Sequence, residues 1–122
     1  MATLTERTYE GDVVLWFEPY YSVDVVTIAS GADLTPGHVL GKITASGKWQ
    51  SSAPGAVDGS ETPAGVLLDE ALAGSSDVQA RVLTRLATVA NHGLVFDATI
   101  NTEAERIAAR ASLASAGIVT RI

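Results

Sequence analysis

Two histidines, His38 and His92, are the only imidazoles in this chain that could act as a general base. A serine nucleophile needs such a base within hydrogen-bond reach, and serines and aspartates are plentiful. However, the chain contains no Gly-x-Ser-x-Gly nucleophile elbow. His92 lies in the turn-forming segment Asn91-His92-Gly93, and His38 follows Pro36-Gly37 at the start of an apolar run. We therefore interpret both as turn or surface histidines, with a small hydrolase that uses one of them as an alternative.

The spacing of the imidazoles and carboxylates does not predict a metal site. No His-x-x-x-His pair occurs, and Asp58-Gly59-Ser60-Glu61 lacks the ligand alternation of an EF-hand loop. The segment Gly37–Lys42 has three residues between its glycines where a phosphate loop has four, and Ile43 stands where that loop needs Ser or Thr. We expect neither a metal nor a cofactor.

A lysine on a hairpin suggests a second alternative. The run from Pro36 to Ile43 resembles the strand that precedes the modified lysine of lipoyl and biotinyl domains, which present this lysine at a hairpin tip. Lys48 lies between Gly47 and Trp49, without the flanking Asp or Met of those domains. A β-barrel carrier or another small binding domain therefore stays an alternative interpretation.

The charge balance argues against nucleic acid as a partner. The 122 residues include 14 acidic and 8 basic side chains, for a formal net charge of −6. Nucleic-acid affinity comes largely from Lys and Arg, so phosphates would repel this surface. No apolar run approaches the roughly 18 residues of a membrane span, and neither a secretory signal nor a cysteine is present. We expect a globular protein made in a reducing cytoplasm, with no membrane partner.

Short β-prone runs separated by glycine, proline and acidic turns dominate the chain. Residues 1–12 are polar and lack helical periodicity, which predicts a flexible N-terminal arm, and residues 13–122 are predicted to form one β-rich domain. A loop rich in Ser, Gly and Pro is predicted from Ser51 to Pro63. The segments predicted to be β are Val13–Phe17, Val23–Ile28, Val39–Thr44, Lys48–Gln50, Ala64–Leu68, Val78–Val89, Leu94–Phe96 and Ile118–Ile122.

One helix is predicted near the C-terminus, at about residues 102–116. Thr102 and Glu105 have the spacing of a capping box, and Gly117 marks the C-terminal stop. The chain is therefore predicted to be mainly β with one helix, an α+β domain. The apolar stripe predicted for the helix consists of Ala104, Ile107, Ala108, Ala111 and Ala114, with Leu113 off that stripe.

Four aromatic residues cluster just after the arm: Trp16, Phe17, Tyr20 and Tyr21. They could pack in the core of the first strands, because aromatic side chains carry large apolar areas. They could also form a protein–protein interface, where Trp and Tyr are enriched. The two interpretations are compatible, since alternate residues of a strand face opposite sides.

The order of these elements resembles a known family. Val26–Thr44, with its Ser30-Gly31-Ala32-Asp33-Leu34-Thr35-Pro36-Gly37 turn region, leads to Gly47-Lys48-Trp49 and then to Asp58–Leu67. A Val-rich strand and a helix that closes on Ala116-Gly117-Ile118 follow. This order is similar to the head decoration proteins of tailed phages, the lambda-like protein D group, over residues 26–122.

The resemblance implies a fold, an assembly and a partner. Members fold as a compact, tulip-like β-barrel domain with a small helical part, and they form homotrimers on the outer surface of the expanded capsid, at local three-fold positions. They stiffen this shell against the pressure of packaged DNA. Their N-terminal arm becomes ordered on the capsid and pairs with the major capsid protein. The matching arm here is residues 2–12, with Leu4, Thr5, Thr8 and Tyr9 as expected contacts.

Overall fold

The short β-prone runs fold into ten strands and one α-helix in the computed structural model, which describes residues 13–121. The strands are β1 Val14–Phe17, β2 Val23–Ile28, β3 Asp33–Leu34, β4 Val39–Lys42, β5 Trp49–Ser51, β6 Gly65–Leu67, β7 Ala71–Leu72, β8 Val78–Leu83, β9 Ala87–Ala90 and β10 Ile118–Arg121. The helix, α1, spans Glu103–Ser115. The mainly β fold with one C-terminal helix is therefore confirmed.

Five of the strands close into a barrel in the order β2-β5-β4-β6-β8. The longest pairing joins β2 to β8 in antiparallel register, from Val23 opposite Leu83 to Ile28 opposite Val78. Every barrel strand thus pairs on both sides, which leaves none of these five as an edge. Strands β3 and β7 form a separate antiparallel pair.

All five barrel strands contribute to one apolar core. Its buried members include Ile28, Leu40, Trp49, Leu67 and Val82, one from each strand. We call this cluster the barrel core. Removal of these side chains from water is the main favourable term that holds the barrel together.

A second sheet packs against the outside of the barrel. It has the order β1-β9-β10, with β1 antiparallel and β10 parallel to β9. Val89 of β9, Ile118 of β10 and Leu113 of α1 are buried together with Val66 and Leu83 from the barrel wall. We call this cluster the outer core.

Three strands serve both cores. On β4, Val39 belongs to the outer core and Leu40 to the barrel core. On β6, Val66 belongs to the outer core and Leu67 to the barrel core; on β8, Leu83 and Val82 divide in the same way. Successive side chains of a strand point to opposite faces, so a run of apolar residues is needed here instead of an alternation with polar ones.

The predicted continuous β segment Val78–Val89 is wrong in one respect. The structure ends β8 at Leu83 and begins β9 at Ala87, in a different sheet. Between them Leu86 adopts a left-handed backbone conformation, with φ of 44°. The chain changes sheets at this point, so that β8 belongs to the barrel and β9 to the second sheet.

The helix begins and ends as predicted, but its buried face differs from the predicted stripe. Thr102 Oγ1 accepts a hydrogen bond from the Glu105 backbone N–H at 3.3 Å, and Gly117 follows the helix with φ of 89°. The buried residues are Ala109 and Leu113. Leu113 packs in the outer core with Val89 and Ile118, whereas Ile107, whose apolar area is similar, stays 55% exposed. The stripe residues Ala104, Ile107, Ala108, Ala111 and Ala114 are all exposed.

The long loop after β5 is fixed to the barrel. Ser51 is the last residue of β5, and the backbone N–H of Thr44 donates to the carbonyl of Asp58 at 2.9 Å. Gln50 Nε2 donates to the hydroxyl of buried Ser60 at 2.8 Å. Gly41 makes this contact possible, since a Cβ there would lie 2.1 Å from the Ser60 carbonyl oxygen.

Candidate functional site

The arm residues expected to contact a partner, Leu4, Thr5, Thr8 and Tyr9, lie outside the described residues 13–121. The first described residue, Val13, is buried in the outer core. Its carbonyl accepts a hydrogen bond from the Ala90 N–H at 2.6 Å. Residues 1–12 therefore connect to the domain at a fixed point, one residue before β1.

Strand β1 divides its aromatic residues between two faces. Its register with β9 shifts between Val14 and Trp16, which leaves Leu15 as the extra residue of a bulge. Phe17 pairs with Ala87 and packs against the outer core. Trp16 pairs with Thr88 and is 53% exposed, so it lies on the opposite, outward face of the sheet.

The turn between β1 and β2 holds Tyr20 and Tyr21 in a fixed backbone frame. The N–H groups of Tyr21 and Ser22 both donate to the Glu18 carbonyl, at 3.0 and 2.8 Å. The buried Ser22 hydroxyl accepts from the Glu18 N–H at 3.0 Å and donates to the Leu86 carbonyl at 2.6 Å. Tyr20, at the tip of this turn, is 97% exposed.

Arg85 fixes the same turn from its other side. Its guanidinium donates to the Tyr21 carbonyl and lies 5.4 Å from the centre of the Tyr21 ring, in cation–π geometry. It also pairs with Asp24 at 2.7 Å. This hydrogen bond lowers the pKa of the Asp24 carboxyl, although partial burial opposes the shift.

These elements bring five exposed apolar side chains to one end of the outer sheet. Thr88 of β9 pairs with Trp16 of β1 on one side and with Val119 of β10 on the other. Trp16 and Val119 therefore lie on the same, outward face of the sheet. Leu86 lies beside the turn, joined to it by Ser22. We call this surface the aromatic patch: Trp16, Tyr20, Tyr21, Leu86 and Val119.

Sequence reasoning singled out the three aromatic residues of the patch but missed Leu86 and Val119. The alternation of β10 marks Val119 only as a strand residue, and its exposure follows from the pairing with β9. Leucine has no preference for left-handed backbone, so nothing in the local sequence indicates the turn at Leu86.

His38 takes part in a hydrogen-bonded chain with Ser51 and Asp97. His38 Nε2 lies 2.8 Å from the Ser51 hydroxyl, which donates to Asp97 Oδ1 at 3.0 Å. Because the single hydroxyl proton goes to Asp97, the serine accepts from an N–H of His38. In a hydrolytic triad the imidazole lies between serine and carboxylate and accepts the serine proton. Here the serine lies in the middle, and its proton is held by the carboxylate.

The electrostatics of this chain of groups favour a neutral imidazole. Burial lowers the pKa of His38, and the nearby charge of Asp97 opposes this only in part. Burial also disfavours the charge of Asp97, but hydrogen bonds from Thr99 and Ser51 outweigh it and lower the pKa of that carboxyl. The network joins the barrel to the segment before α1, where His38 also forms a parallel β-bridge with Val95.

The other groups with potential chemistry, Lys48 and His92, lie at turns of the chain. Lys48 follows the β4–β5 turn, and its Nζ forms an ion pair with Asp77 at 2.6 Å. His92 lies in the 3-10 turn Asn91–Gly93, where the sequence predicts a break. Within residues 13–121, no group of three or more His, Asp or Glu side chains is placed to hold a metal ion. Among the described elements, no helix has the length and apolar character needed to cross a membrane.

Comparison with known proteins supplies the family. A family model described as Bacteriophage lambda head decoration protein D matches residues 3–118. This range includes most of residues 1–12, the barrel, the outer sheet up to the first residue of β10, and α1. No curated protein matches the chain significantly.

Proposed function

The chain belongs to the family of the bacteriophage lambda head decoration protein D, and we propose that it binds the outer surface of the expanded phage capsid as a homotrimer. There it would stabilise the shell against the pressure of packaged DNA, by contacts with the major capsid protein at local three-fold positions. The family consists of structural proteins that decorate the phage head. A role in capsid decoration and a place on the virion therefore follow from membership of the family. The observation that carries the proposal is the match over residues 3–118, nearly the whole chain.

The arm supplies the first contact. Residues 2–12 contain β-prone Thr and Tyr and meet the domain at the fixed residue Val13. An extended segment can add a strand to an exposed sheet edge on the capsid protein, where backbone hydrogen bonds provide affinity. Leu4, Thr5, Thr8 and Tyr9 are the side chains that would contact this edge.

Trimerisation makes such weak contacts sufficient. Ordering each arm residue opposes binding by about 1–2 kcal/mol, so a single arm binds weakly. Once one arm of a trimer is bound, the other two are held at high effective concentration near their own sites. Cyclic three-fold symmetry also matches a three-fold capsid position, so that each arm meets an equivalent edge.

Deletion of residues 2–12 tests this function. Light scattering is expected to give the mass of three chains for both the full chain and the truncated one, because the described domain begins at Val13. The full chain is expected to sediment with empty expanded capsids of its own phage, and the truncated chain to stay in the supernatant.

A chain whose arm is replaced by a Gly-Ser segment of equal length is the matched control. It retains the length but not the β-prone side chains, and we expect it to bind as poorly as the deletion. Co-sedimentation of the truncated chain at the level of the full chain would remove the arm from the mechanism. A monomeric full chain that does not bind capsids would contradict the function as a whole.

A further inference from the structure

Leu86 combines a strained backbone with an exposed side chain. Its φ of 44° lies in the left-handed region, and it is the one non-glycine residue of the described chain with positive φ. Glycine or asparagine adopts this conformation at a lower free energy than leucine. Burial of the side chain could offset the strain, yet 47% of Leu86 is exposed. Strained backbone of this kind is held in place by its surroundings and clusters at active sites, ligand clamps and switch regions.

The surroundings of Leu86 enforce this conformation. Its carbonyl accepts the hydrogen bond from buried Ser22, and its N–H lies against Gly117, where a Cβ would be 3.1 Å from the Leu86 nitrogen. Ala87, the next residue, donates to the Gly117 carbonyl at 3.1 Å. Leu86 is therefore held from both sides, with its side chain left at the surface.

The backbone of the turn that carries the two tyrosines of the patch is also fixed. Tyr20 lies on the turn fixed by Ser22, and Tyr21 is fixed by Arg85. An aromatic side chain carries about 150–250 Å² of surface, so Trp16 and the two tyrosines present an area on the order of several hundred Å². Exposed apolar patches of that size are often functional, and Trp and Tyr are enriched among the residues that carry most of the binding energy of an interface.

We propose that the aromatic patch is a second capsid-binding surface, which docks onto an apolar face of the major capsid protein next to the edge that takes the arm. This inference rests on the proposed function. Residues 1–12 end one residue before β1, and Trp16 lies on the outward face of that same strand. A partner that binds the arm is thereby brought close to the patch. The charges beside the patch, Arg85 and Asp24, are paired with each other, which suits an apolar partner.

Substitution of Leu86 separates a binding role from a structural one. L86N and L86G relieve the backbone strain, so their melting temperatures are expected to equal or exceed that of the wild type. If Leu86 contacts the capsid, the same variants bind it less tightly, with a half-saturating concentration raised about tenfold or more. Higher stability together with weaker attachment is a combination that a purely structural residue does not produce.

Tyr20→Ser and Leu72→Ala complete the experiment. Tyr20 is almost fully exposed, so its loss is expected to leave stability unchanged and to weaken attachment. Leu72 on β7 is 61% exposed, lies outside the patch and is the matched control, for which both quantities are expected to stay at wild-type values. The readouts are co-sedimentation with empty expanded capsids, thermal unfolding and light scattering, on the full chain in every case.

Two results would overturn this inference and leave the proposed function intact. Unchanged attachment of both L86N and Y20S, beside a wild type that binds, would show that the patch does not touch the capsid. Dissociation of these variants into monomers would assign the patch to the contact between subunits. A wild-type chain that fails to bind would instead overturn the proposed function, and this inference with it.

Discussion

The barrel and the outer sheet differ in how many of their strand edges and apolar side chains they leave exposed. Each barrel strand pairs on both sides around the barrel core, so its backbone groups are used internally. Within residues 13–121, β1 and β10 pair only with β9, and the outward face of their sheet carries Trp16 and Val119. One region is closed on itself, while the other keeps strand edges and apolar side chains available.

This difference indicates a division of labour. The barrel provides a closed support, and the outer sheet carries the aromatic patch and Val13, the residue at which residues 1–12 join the described part of the chain. A decoration protein has to hold its contact groups in a fixed arrangement while it is attached to the shell, and preorganised groups lose less entropy on binding.

The largest effect on stability is expected from the barrel core. Leu67 is fully buried there, so L67A leaves a cavity and is expected to lower the free energy of unfolding by about 2–5 kcal/mol. The measurement is urea unfolding followed by tryptophan fluorescence, since Trp49 lies in the same core.

The exposed Leu72 is the matched leucine for this comparison. L72A is expected to change the free energy of unfolding by less than about 0.5 kcal/mol, as is usual for surface positions. Equal losses for the two variants would mean that the barrel core is not the main source of stability.

A smaller effect is expected at the joint that fixes the aromatic patch. The Ser22 side chain is fully buried, and its hydroxyl is the hydrogen-bond partner of the Glu18 N–H and of the Leu86 carbonyl. Ser22→Ala removes this partner from both groups. Groups left without a partner in this way cost about 1–3 kcal/mol of stability. The turn should also become mobile, which hydrogen exchange at Tyr21 and Ser22 would reveal.

The exposed Ser46 is the control for that variant, because its hydroxyl accepts only a 3.3 Å bond from the Lys48 N–H. S46A should leave stability and exchange unchanged. If S22A behaves like S46A, the patch is not held by this hydrogen-bonded joint.

The smallest effect is a pH dependence at the link between the barrel and the segment before α1. Burial lowers the pKa of His38 from its ordinary value of 6.5. As the pH falls below that value, the unfolded chain takes up a proton before the folded one does, which favours unfolding. The contribution of His38 to stability is therefore fully present above 6.5 and is lost as the pH falls through the lower pKa of the folded state.

Replacement by glutamine isolates this contribution. H38Q can still donate an N–H to Ser51 but does not titrate, so its urea midpoint should change less than that of the wild type between about pH 7.5 and about pH 5.5. Identical pH profiles for wild type and H38Q would exclude His38 as the group responsible.

Much of the fold could be predicted because its signals are local. The Thr102 cap and Gly117 fixed the ends of α1 to within a residue, and the β-branched run at Val23–Ile28 is the observed β2. The closure of the barrel depends on pairings distant in the sequence, such as β2 with β8, and no local pattern specifies them. The barrel was expected only from the family resemblance.

The errors have the same physical origin. The alternation of apolar residues continues through Thr84, Arg85 and Leu86, so the sequence shows no break where the chain changes sheets. The inward face of α1 depends on which residue finds the deepest apolar surroundings, and Leu113 meets Ile118 and Val89 there. In the candidate site, the aromatic residues can be predicted from their residue types. Leu86 is recognised only from its left-handed backbone conformation in the structure.

Strands β6 and β8 form a wall that the two cores share, and this affects how the molecule unfolds. Val66 and Leu83 support one cluster while their neighbours Leu67 and Val82 support the other, so neither cluster has a complete wall of its own. Loss of one would expose a full side of the strands that the other needs. Despite the contrast between the two regions, we therefore expect the described chain to unfold as a single cooperative unit, without a partly unfolded form in which the barrel alone is intact.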